Sequence, residues 1–245
     1  MMSYLNILLP VYNEEFRLEK GVRKLIAFFN SITEDEYELT ILDNASSDRT
    51  SRIAQILCNE YRQVNYIRLE TKGVGVAFRA GIRNNNAPIV GYMDIDLSTD
   101  VSHITEVLKL FRTQSELEII NASRYNKKSQ TIGRKWYRNL TSQCLTLLLK
   151  ITLGMKATDS ICGFKFFRKQ TAEWLVSQAK DGENGWFYII ELLLRAERAG
   201  LNIYELPVRW QDDVEHSTVK VWNLILNYCR QILRLRKTFR TENIL

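Results

Sequence analysis

Short apolar runs alternate with stretches of helical periodicity along the first half of the chain, and this alternation restricts the fold more than any other feature. Turn residues flank five runs of strand length, at residues 5–9, 38–42, 64–69, 89–93 and 117–120. Apolar residues recur at helical spacing between them, at residues 18–29, 53–57, 76–84 and 103–112, with Asp48 as a cap candidate for the second helix. Strands that alternate with helices predict an α/β fold, with a largely parallel sheet and helices on both of its faces.

The second half of the chain has a less regular pattern. We predict a helix at residues 135–153, a strand at 164–167, helices at 171–178 and 187–199, a strand at 201–206 and a last helix after Ser217. No Pro-rich or Ser/Gly-rich linker interrupts the 245 residues. The predicted organisation is therefore one main domain over residues 1–216, followed by a C-terminal amphipathic basic helix and tail over residues 217–245.

The formal net charge of +6 is compatible with nucleic acid, anionic lipid or a phosphorylated substrate as the partner. Basic residues cluster at 127–138 and 220–240, and neither stretch matches a nucleic-acid-binding module, so we expect no nucleic acid partner. Residues 221–239 carry apolar side chains on one helical face and basic or amide side chains opposite. This pattern fits either a helix packed on the core or a helix that lies on a membrane surface.

The cysteine and histidine content bounds the compartment and the metal chemistry. Four widely spaced cysteines and two histidines argue against a zinc site, and the first ten residues resemble a core strand rather than a secretory signal. We therefore expect reduced thiols and a cytoplasmic location. No apolar run reaches the roughly 18–20 residues of a membrane span, so any membrane contact would be peripheral.

Three polar turns follow predicted strands, at residues 10–15, 43–48 and 94–96. Ligands bind beyond the carboxyl ends of parallel strands, so one crevice would hold all three turns. Asp94 and Asp96 are two residues apart, and on an ideal strand both carboxylates would point to one face and reach one cation. An isolated acidic pair is common at helix caps and in solvated loops, but the convergence of three turns favours a Mg²⁺ or Mn²⁺ site that also takes substrate phosphates.

The glycine-containing segment at residues 72–77 is not a dinucleotide-binding fingerprint. Phe78 stands where the third small residue of that fingerprint belongs. We interpret the segment as a loop whose backbone approaches a ligand, at a helix N-terminus that favours anions.

Six short motifs occur in order along the chain. They are residues 9–15 (LPVYNEE), 43–48 (DNASSD), 72–77 (KGVGVA), 94–96 (DID), 122–125 (ASRY) and 159–165 (DSICGFK). In number and order they resemble the family 2 glycosyltransferases, in particular the branch of dolichyl-phosphate mannose and glucose synthases and their bacterial polyprenyl-phosphate relatives. The resemblance extends over roughly residues 4–220, and it implies a GT-A-type fold and a UDP- or GDP-hexose as donor.

The resemblance also implies a set of donor-side residues. The nucleotide-sugar-binding residues would be Pro10, Tyr12, Glu14, Asp43, Asn44, Lys72, Asp94, Ile95 and Glu191. Tyr12 would stack on the base, and Asp43 and Asn44 would meet the base edge and the ribose. Asp94 and Asp96 would hold Mg²⁺ or Mn²⁺ on the donor diphosphate, which makes Asp96 a catalytic candidate as well.

On the acceptor side, the resemblance implies two further catalytic residues. Asp159 would lie beside the reacting centre, where it would orient the acceptor or act as a base, and Arg124 would clamp a phosphate. Lys165, Ser217 and Lys220 would bind phosphate of the donor or the acceptor.

Three positions depart from the family's pattern. Asn44 stands where Asp is more common, Ser98 stands where mannose synthases commonly have Gln, and Ile189 stands where the family has an Asp two residues before Glu191. These departures leave the base, a third metal ligand and the sugar open.

A phosphate acceptor is already ionised near neutral pH and needs no strong general base, which agrees with a chain that has no nucleophile–base constellation. The resemblance thus implies an inverting hexosyltransferase with polyprenyl phosphate as acceptor, at the cytoplasmic face of a membrane. A family 2 enzyme that acts on a saccharide hydroxyl in glycan or cell-envelope polysaccharide synthesis stays open, with Asp159 as its base. A non-catalytic nucleotide-sugar-binding protein and a homo-oligomeric state also stay open.

Overall fold

The computed structural model describes residues 3–32, 36–179, 184–212 and 221–242, except for the side chains of residues 221–225. The strands are β1 (Leu5–Val11), β2 (Tyr37–Asp43), β3 (Val64–Arg68), β4 (Ile89–Met93), β5 (Ile119–Ser123), β6 (Gln130–Ile132), β7 (Phe164–Arg168), β8 (Ile203–Pro207) and β9 (Arg209–Gln211). The helices are α1 (Leu18–Ile32), α2 (Thr50–Glu60), α3 (Val74–Arg83), α4 (His103–Thr113), α5 (Trp136–Leu153), α6 (Lys169–Gln178), α7 (Phe187–Arg198) and α8 (Val221–Thr241).

Seven strands form one sheet in the order β3-β2-β1-β4-β7-β5-β8, and β6 and β9 form a separate parallel pair. Neighbouring strands of the large sheet are parallel except β7, which runs antiparallel between β4 and β5. Strands β1, β4 and β5 are buried almost throughout because helices cover both faces of the sheet. The predicted α/β fold with a mostly parallel sheet is confirmed.

Side chains of one strand alternate between two cores. Ile7 and Leu9 of β1 belong to the core under α1, α2 and α4, whereas Leu8 belongs to the core under α3, α6 and α7. This alternation also places Tyr92 of β4 on the α3, α6 and α7 side, next to Met93 on the opposite side. Tyr92 and Met93, the last two side chains of β4 before Asp94, therefore lie on opposite faces of the sheet.

Helix α8 packs on the body of the protein through one apolar stripe. Its buried side chains are Tyr228, Ile232, Leu235 and Phe239, and they join a third core cluster with residues of α5 and α7. Of the two interpretations of residues 221–239, packing therefore holds for this stripe. The same helix exposes Leu226 and Leu233. Among the residues described, no helix has both the length and the apolar character needed to cross a membrane.

Helix α5 directs most of its large apolar side chains outward. The side that faces the protein includes Ser142 and Thr146, which are buried together with Leu149 and Leu153. The exposed large apolar residues of α5 are Trp136, Tyr137, Leu140, Leu147, Leu148 and Ile151. We refer to these six residues as the outer face of α5.

The structure corrects several details of the predicted elements. Strands β6 and β9 were not predicted, since each has only three residues and β6 is fully exposed. Asp48 is not the N-cap of α2: Arg49 occupies that position, while a carboxylate oxygen of Asp48 accepts the Thr50 backbone N–H. The predicted boundary between residues 216 and 217 lies outside the described residues, as do Ser217 and Lys220.

Candidate active site

Three strained turns lie at the carboxyl ends of neighbouring strands. Asn13, Ala45 and Leu97 have positive φ values of 55°, 59° and 49°, and they follow β1, β2 and β4 respectively. Non-glycine residues in this conformation cost free energy and cluster at functional sites. The three turns are the ones that the sequence singles out, and the sheet order makes β2, β1 and β4 neighbours.

The first two turns are hydrogen-bonded to each other. The backbone N–H of Asn13 donates to Ser46 Oγ at 3.0 Å, and that of Glu14 donates to Thr50 Oγ1 at 2.8 Å. In return, the Ser47 N–H donates to Asn13 Oδ1 at 2.9 Å. The turns after β1 and β2 are thus held together by hydrogen bonds.

Asp94 and Asp96 lie in a turn rather than on a strand. Strand β4 ends at Met93, and the Leu97 N–H donates to the Asp94 carbonyl at 3.2 Å. The prediction that strand geometry brings the two carboxylates together is therefore wrong in its reason, although their placement at the strand end is correct. Asp96 Oδ1 accepts the Ser98 N–H at 2.9 Å, which fixes the turn.

Gly163 makes room for the Asp94 carboxylate. A Cβ atom on Gly163 would lie 1.8 Å from Asp94 Oδ2, and the Asp94 N–H donates to the Gly163 carbonyl at 3.1 Å. The carboxylate therefore fits against bare backbone of the segment that leads into β7. The sequence contains this glycine in a motif, but its role depends on a contact between distant segments.

Negative charge is concentrated around the turn that contains Asp94 and Asp96. Burial, followed by the charge of Asp96, raises the pKa of Asp94 to about 8. Burial also raises the pKa of Glu14, and the charges of Asp96 and Asp48 contribute to that rise. Such mutual repulsion is relieved by a bound cation, so the two carboxylates suit a divalent metal. Within the described ranges no group of three or more His, Cys, Asp or Glu side chains could hold a metal ion, which leaves the remaining positions to water and substrate oxygens.

The side chains of Asp43 and Asn44, which the resemblance assigns to the donor, accept hydrogen bonds from other parts of the protein. The buried Asp43 carboxylate accepts hydrogen bonds from Ser46, Ser51, Tyr66 and Arg68. Burial acts to raise the pKa of Asp43, but these hydrogen bonds outweigh it and hold the pKa below its ordinary value. Asn44 Oδ1 accepts the Gly73 N–H at 3.2 Å. The two side chains thus hold the turn after β2 against β3 and the loop before α3.

Tyr12 is 39% exposed, and the Lys72 ammonium lies 3.3 Å from the centre of its ring. The ring is therefore accessible, with a cation on one face. Glu14, at the end of the same turn, forms a two-pronged salt bridge with Arg17, at 2.7 and 2.8 Å. Pro10, partly buried in β1, and Ile95, buried between the two aspartates, also lie at this edge.

The expected anion site at the N-terminus of α3 is not supported by the geometry. The Gly75 N–H donates to the Asn184 carbonyl at 2.7 Å, and the Gly73 N–H is taken by Asn44. A Cβ atom on Gly73 would lie 2.3 Å from the same Asn184 carbonyl oxygen. Gly73 therefore allows the segment before α7 to approach closely.

Arg124 and Asp159 form a buried ion pair. Arg124 Nε and Nη2 donate to the two carboxylate oxygens at 2.6 and 2.9 Å, and the Arg124 backbone N–H adds a third hydrogen bond at 3.1 Å. Burial acts to raise the pKa of Asp159, but the hydrogen bond and charge of Arg124 keep it below the ordinary value. Asp159 is thus a weak base, and Arg124 is engaged before any phosphate arrives.

Arg134 is a site residue that the sequence did not single out, although it lies in the basic stretch 127–138. It is partly buried, its guanidinium is 5.2 Å from the Trp210 ring, and it donates to Ser142 Oγ at 2.7 Å. Burial, followed by the charge of Arg124, lowers its pKa. Arg134 therefore adds a second cation beside the Arg124–Asp159 pair.

Lys165 is buried inside the sheet. Its Nζ donates to the Cys162 carbonyl at 2.6 Å, burial lowers its pKa, and the charges of Asp159 and Asp94 oppose that effect. The structure therefore brings Lys165 to the site, but as an internal cation between two carboxylates.

Glu191 joins two helices. Its side chain is fully buried, one oxygen accepts Arg195 Nε at 3.0 Å, and the other accepts Arg234 of α8. One carboxylate oxygen is thus bonded within α7 and the other links α7 to α8, while the sugar contact expected of Glu191 stays a prediction.

Comparison with known proteins places this arrangement among sugar-transferring enzymes. The profile of "Glycosyl transferase family 2" matches residues 6–174. Glycosyltransferase AglD of Haloferax volcanii is 29% identical over 231 residues, which cover 94% of this chain and 36% of AglD. Dolichyl-phosphate beta-glucosyltransferase ALG5A of Trichomonas vaginalis is 25% identical over 231 residues, which cover 91% of this chain and 70% of ALG5A. The chain thus spans about a third of one curated relative and more than two thirds of the other.

Solved structures show the same fold. Glucosyl-3-phosphoglycerate synthase from Mycobacterium tuberculosis in complex with UDP has a TM-score of 0.68 at 16% identity, over 96% of this chain and 80% of that one. The same enzyme with Mn²⁺ and UDP-glucose has a TM-score of 0.64 at 17% identity, over 94% of this chain and 77% of that one. At these identities the likeness concerns the fold, which is the GT-A type that the resemblance implied.

Proposed function

The chain belongs to glycosyl transferase family 2, and we propose that it transfers a hexose from UDP- or GDP-hexose to a polyprenyl phosphate at a membrane surface. The transfer depends on Mg²⁺ or Mn²⁺ and inverts the anomeric centre. The observation that carries the choice of acceptor is the outer face of α5, a row of exposed large apolar side chains beside the site. The curated relative named as a dolichyl-phosphate glucosyltransferase supports the same acceptor class.

The donor side of the proposal rests on the carboxylates at the end of β4. Asp94 and Asp96 hold the metal together with the donor diphosphate, and Gly163 leaves space for the Asp94 carboxylate. A bound divalent ion neutralises charge that develops on the leaving diphosphate. Tyr12 is exposed beside these residues and is suited to a planar base. The M. tuberculosis relative was crystallised with Mn²⁺ and UDP-glucose, which supports this donor class.

The acceptor side rests on Arg134 and on the Arg124–Asp159 pair. The Asp159 carboxylate already accepts three hydrogen bonds from Arg124, so it does not favour removal of a proton from a sugar hydroxyl. A phosphate acceptor brings its own negative oxygen and needs no such base. Arg134 supplies positive charge for that phosphate, while Asp159 positions Arg124.

Helices α5 and α8 together support the proposed contact with a membrane. The two helices pack against each other and contain no Asp or Glu, whereas α8 contains five Arg or Lys residues between residues 230 and 240. Apolar side chains flanked by cations suit an anionic lipid surface. The four cysteines are free thiols, which supports the cytoplasmic face.

The proposal is tested with purified protein, Mn²⁺, and UDP-glucose or GDP-mannose. One reaction offers a polyprenyl phosphate in anionic vesicles, and a parallel reaction offers soluble saccharides. We expect a glycolipid product only in the first. Transfer to a saccharide, with no glycolipid formed, would instead support the enzyme of glycan synthesis, and binding of the nucleotide sugar without any transfer would support a binding protein.

A further inference from the structure

A small cavity lies beside the proposed metal site, on the side of the sheet that α7 covers. Its volume is about 30 Å³, and its lining includes Tyr92 of β4, Lys165 of β7, Ser160 and Ile189. Tyr92 pairs with Lys165 across β4 and β7 and precedes Asp94 by two residues. The cavity therefore lies next to the end of β4 that leads into Asp94.

Two buried hydroxyl groups in the cavity wall have no hydrogen-bond partner among the residues that the structure describes. They are Tyr92 Oη and Ser160 Oγ, on side chains that are 2% and 0% exposed. An unpaired buried hydroxyl costs free energy, and nearly all such groups in folded proteins are paired. Among the other wall residues, Ile161, Ile189 and Ile190 are apolar, and the Lys165 ammonium donates to the Cys162 carbonyl. The two hydroxyls are thus suited to a polar group brought by a ligand.

The size of the cavity limits what that group can be. A single water molecule needs a cavity of about 10–15 Å³, so 30 Å³ accommodates one hydroxyl or hydroxymethyl group but not a whole sugar ring. A phosphate is also too large for this volume. A hexose held above the cavity would place one of its substituents inside it.

We propose that Tyr92 and Ser160 form the floor of the sugar subsite, where their hydroxyls bind one hydroxyl or hydroxymethyl group of the transferred hexose. This inference rests on the proposed function, because it assumes that the sugar is attached to a diphosphate at Asp94 and Asp96. A site built from hydrogen-bonding groups discriminates strongly against a sugar that lacks the matching hydroxyl. Tyr92 and Ser160 would then determine which hexose is accepted.

The test compares binding of the full chain to UDP, UDP-glucose, GDP and GDP-mannose with Mn²⁺, by calorimetry. For the nucleotide sugar that the wild type binds, Tyr92→Phe and Ser160→Ala should each weaken binding on the order of 10-fold and leave the matching nucleoside diphosphate unchanged. Tyr188→Phe is the matched control, since Tyr188 is a buried tyrosine on the same side of the sheet that does not line the cavity. It should leave both affinities unchanged.

Deoxy analogues of the accepted nucleotide sugar test whether Tyr92 binds a particular hydroxyl group of the sugar. One analogue should bind the wild type about 10-fold more weakly than the parent sugar, and Tyr92→Phe should abolish that difference. Equal weakening of the nucleotide and the nucleotide sugar in both variants, or no weakening in either, would overturn the subsite while leaving the proposed function intact. Failure of the wild type to bind any of the four nucleotides would overturn the proposed function itself. If Tyr92→Phe does not fold, Ser160→Ala decides the question.

Discussion

At the scale of single residues, the site depends on the absence of one side chain as much as on the presence of others. Gly163 lies against the Asp94 carboxylate, and any Cβ atom there would meet it at 1.8 Å. That distance is far inside van der Waals contact, so the carboxylate or the backbone must move. The cation site proposed at Asp94 and Asp96 is therefore sensitive to a single methyl group.

Gly163→Ala should weaken Mn²⁺ binding at least 10-fold, because it displaces one of two carboxylate ligands. The measurement is a Mn²⁺ titration followed by electron paramagnetic resonance. Gly133→Ala is the control: Gly133 has a positive φ of 72° and no atom within 4 Å of an added Cβ. It should cost about 1 kcal/mol of stability without changing the affinity for Mn²⁺. Equal Mn²⁺ affinity in Gly163→Ala and the wild type would argue against Asp94 as a ligand.

The buried Arg124–Asp159 pair leads to a second prediction at this scale. Arg124→Met leaves the Asp159 carboxylate buried without its main partner, which should reduce the free energy of unfolding at pH 7 by about 3–5 kcal/mol in urea titrations. In the wild type the pKa of Asp159 is depressed, so its contribution is fully present above the ordinary Asp pKa and is lost as the pH falls through the folded value.

In Arg124→Met the pKa of Asp159 should instead be raised by burial. The contribution of Asp159 to stability should therefore change with pH in the opposite direction. The variant's deficit in the free energy of unfolding should then shrink as the pH is lowered from 7 to 4, because protonation removes the buried charge. The control is Arg49→Met, which removes an exposed arginine paired with Glu15 and should cost less than about 1 kcal/mol at either pH. A deficit that is equal at pH 7 and pH 4 would contradict the assigned pairing.

At the scale of helices and strands, α8 is held by both apolar packing and charge. Leu235 and Phe239 are buried against neighbouring helices, and Arg234 meets Glu191 of α7. Arg195 bonds the same carboxylate and also contacts Glu242, just after α8. Glu191 is thus the centre of a charge network that links α7 to the C-terminal helix.

Glu191→Gln should loosen α8 without changing donor binding. The loss of the shared negative charge should cost about 1–3 kcal/mol of stability, and hydrogen exchange should increase in α8 more than in the central strands. Glu173→Gln, which removes an exposed partner of Lys169 on α6, is the matched control and should have an effect below about 1 kcal/mol. A selective loss of affinity for the nucleotide sugar, with α8 unchanged, would instead support the sugar-binding role that the family resemblance implies.

Some strands and helices could be predicted from the sequence, and others could not. Strands β1 to β5 and most helices were predictable because long apolar patterns report burial directly. Strand β9 was not, because its partner β6 lies about 80 residues earlier and both are too short to show a pattern. The position of Asp94 and Asp96 directly after β4 was predictable from the apolar run that precedes them. The partners of Glu191 and the space at Gly163 arise from tertiary neighbours that no local pattern reveals.

At the scale of the whole molecule, apolar surface and positive charge are distributed unevenly. The outer face of α5 contains Trp136 and Ile151, each 75% exposed, and the adjacent α8 carries Arg230, Arg236 and Lys237 at its surface. Large apolar side chains on a soluble protein's surface usually mark a binding surface when they are contiguous. An anionic bilayer, the proposed partner, would contact both the apolar and the charged part of this surface.

Sedimentation with vesicles that contain anionic lipid tests this surface directly. Ile151→Ser should lower the partition coefficient about 10-fold, because it removes one apolar side chain from the lipid contact. Ile56→Ser is the matched control, since Ile56 is 52% exposed on α2, on a different helix, and its loss should leave partitioning unchanged.

Salt separates the two contributions to that binding. Raising ionic strength from 0.1 to 0.5 M should weaken binding of both the wild type and Ile151→Ser by a similar factor, because the cations of α8 are present in each. Neutral vesicles should bind the wild type weakly and without salt dependence. Equal losses in Ile56→Ser and Ile151→Ser would mean that the contact is not localised on α5. Binding that is indifferent to lipid charge would leave the basic residues of α8 without a role at the membrane.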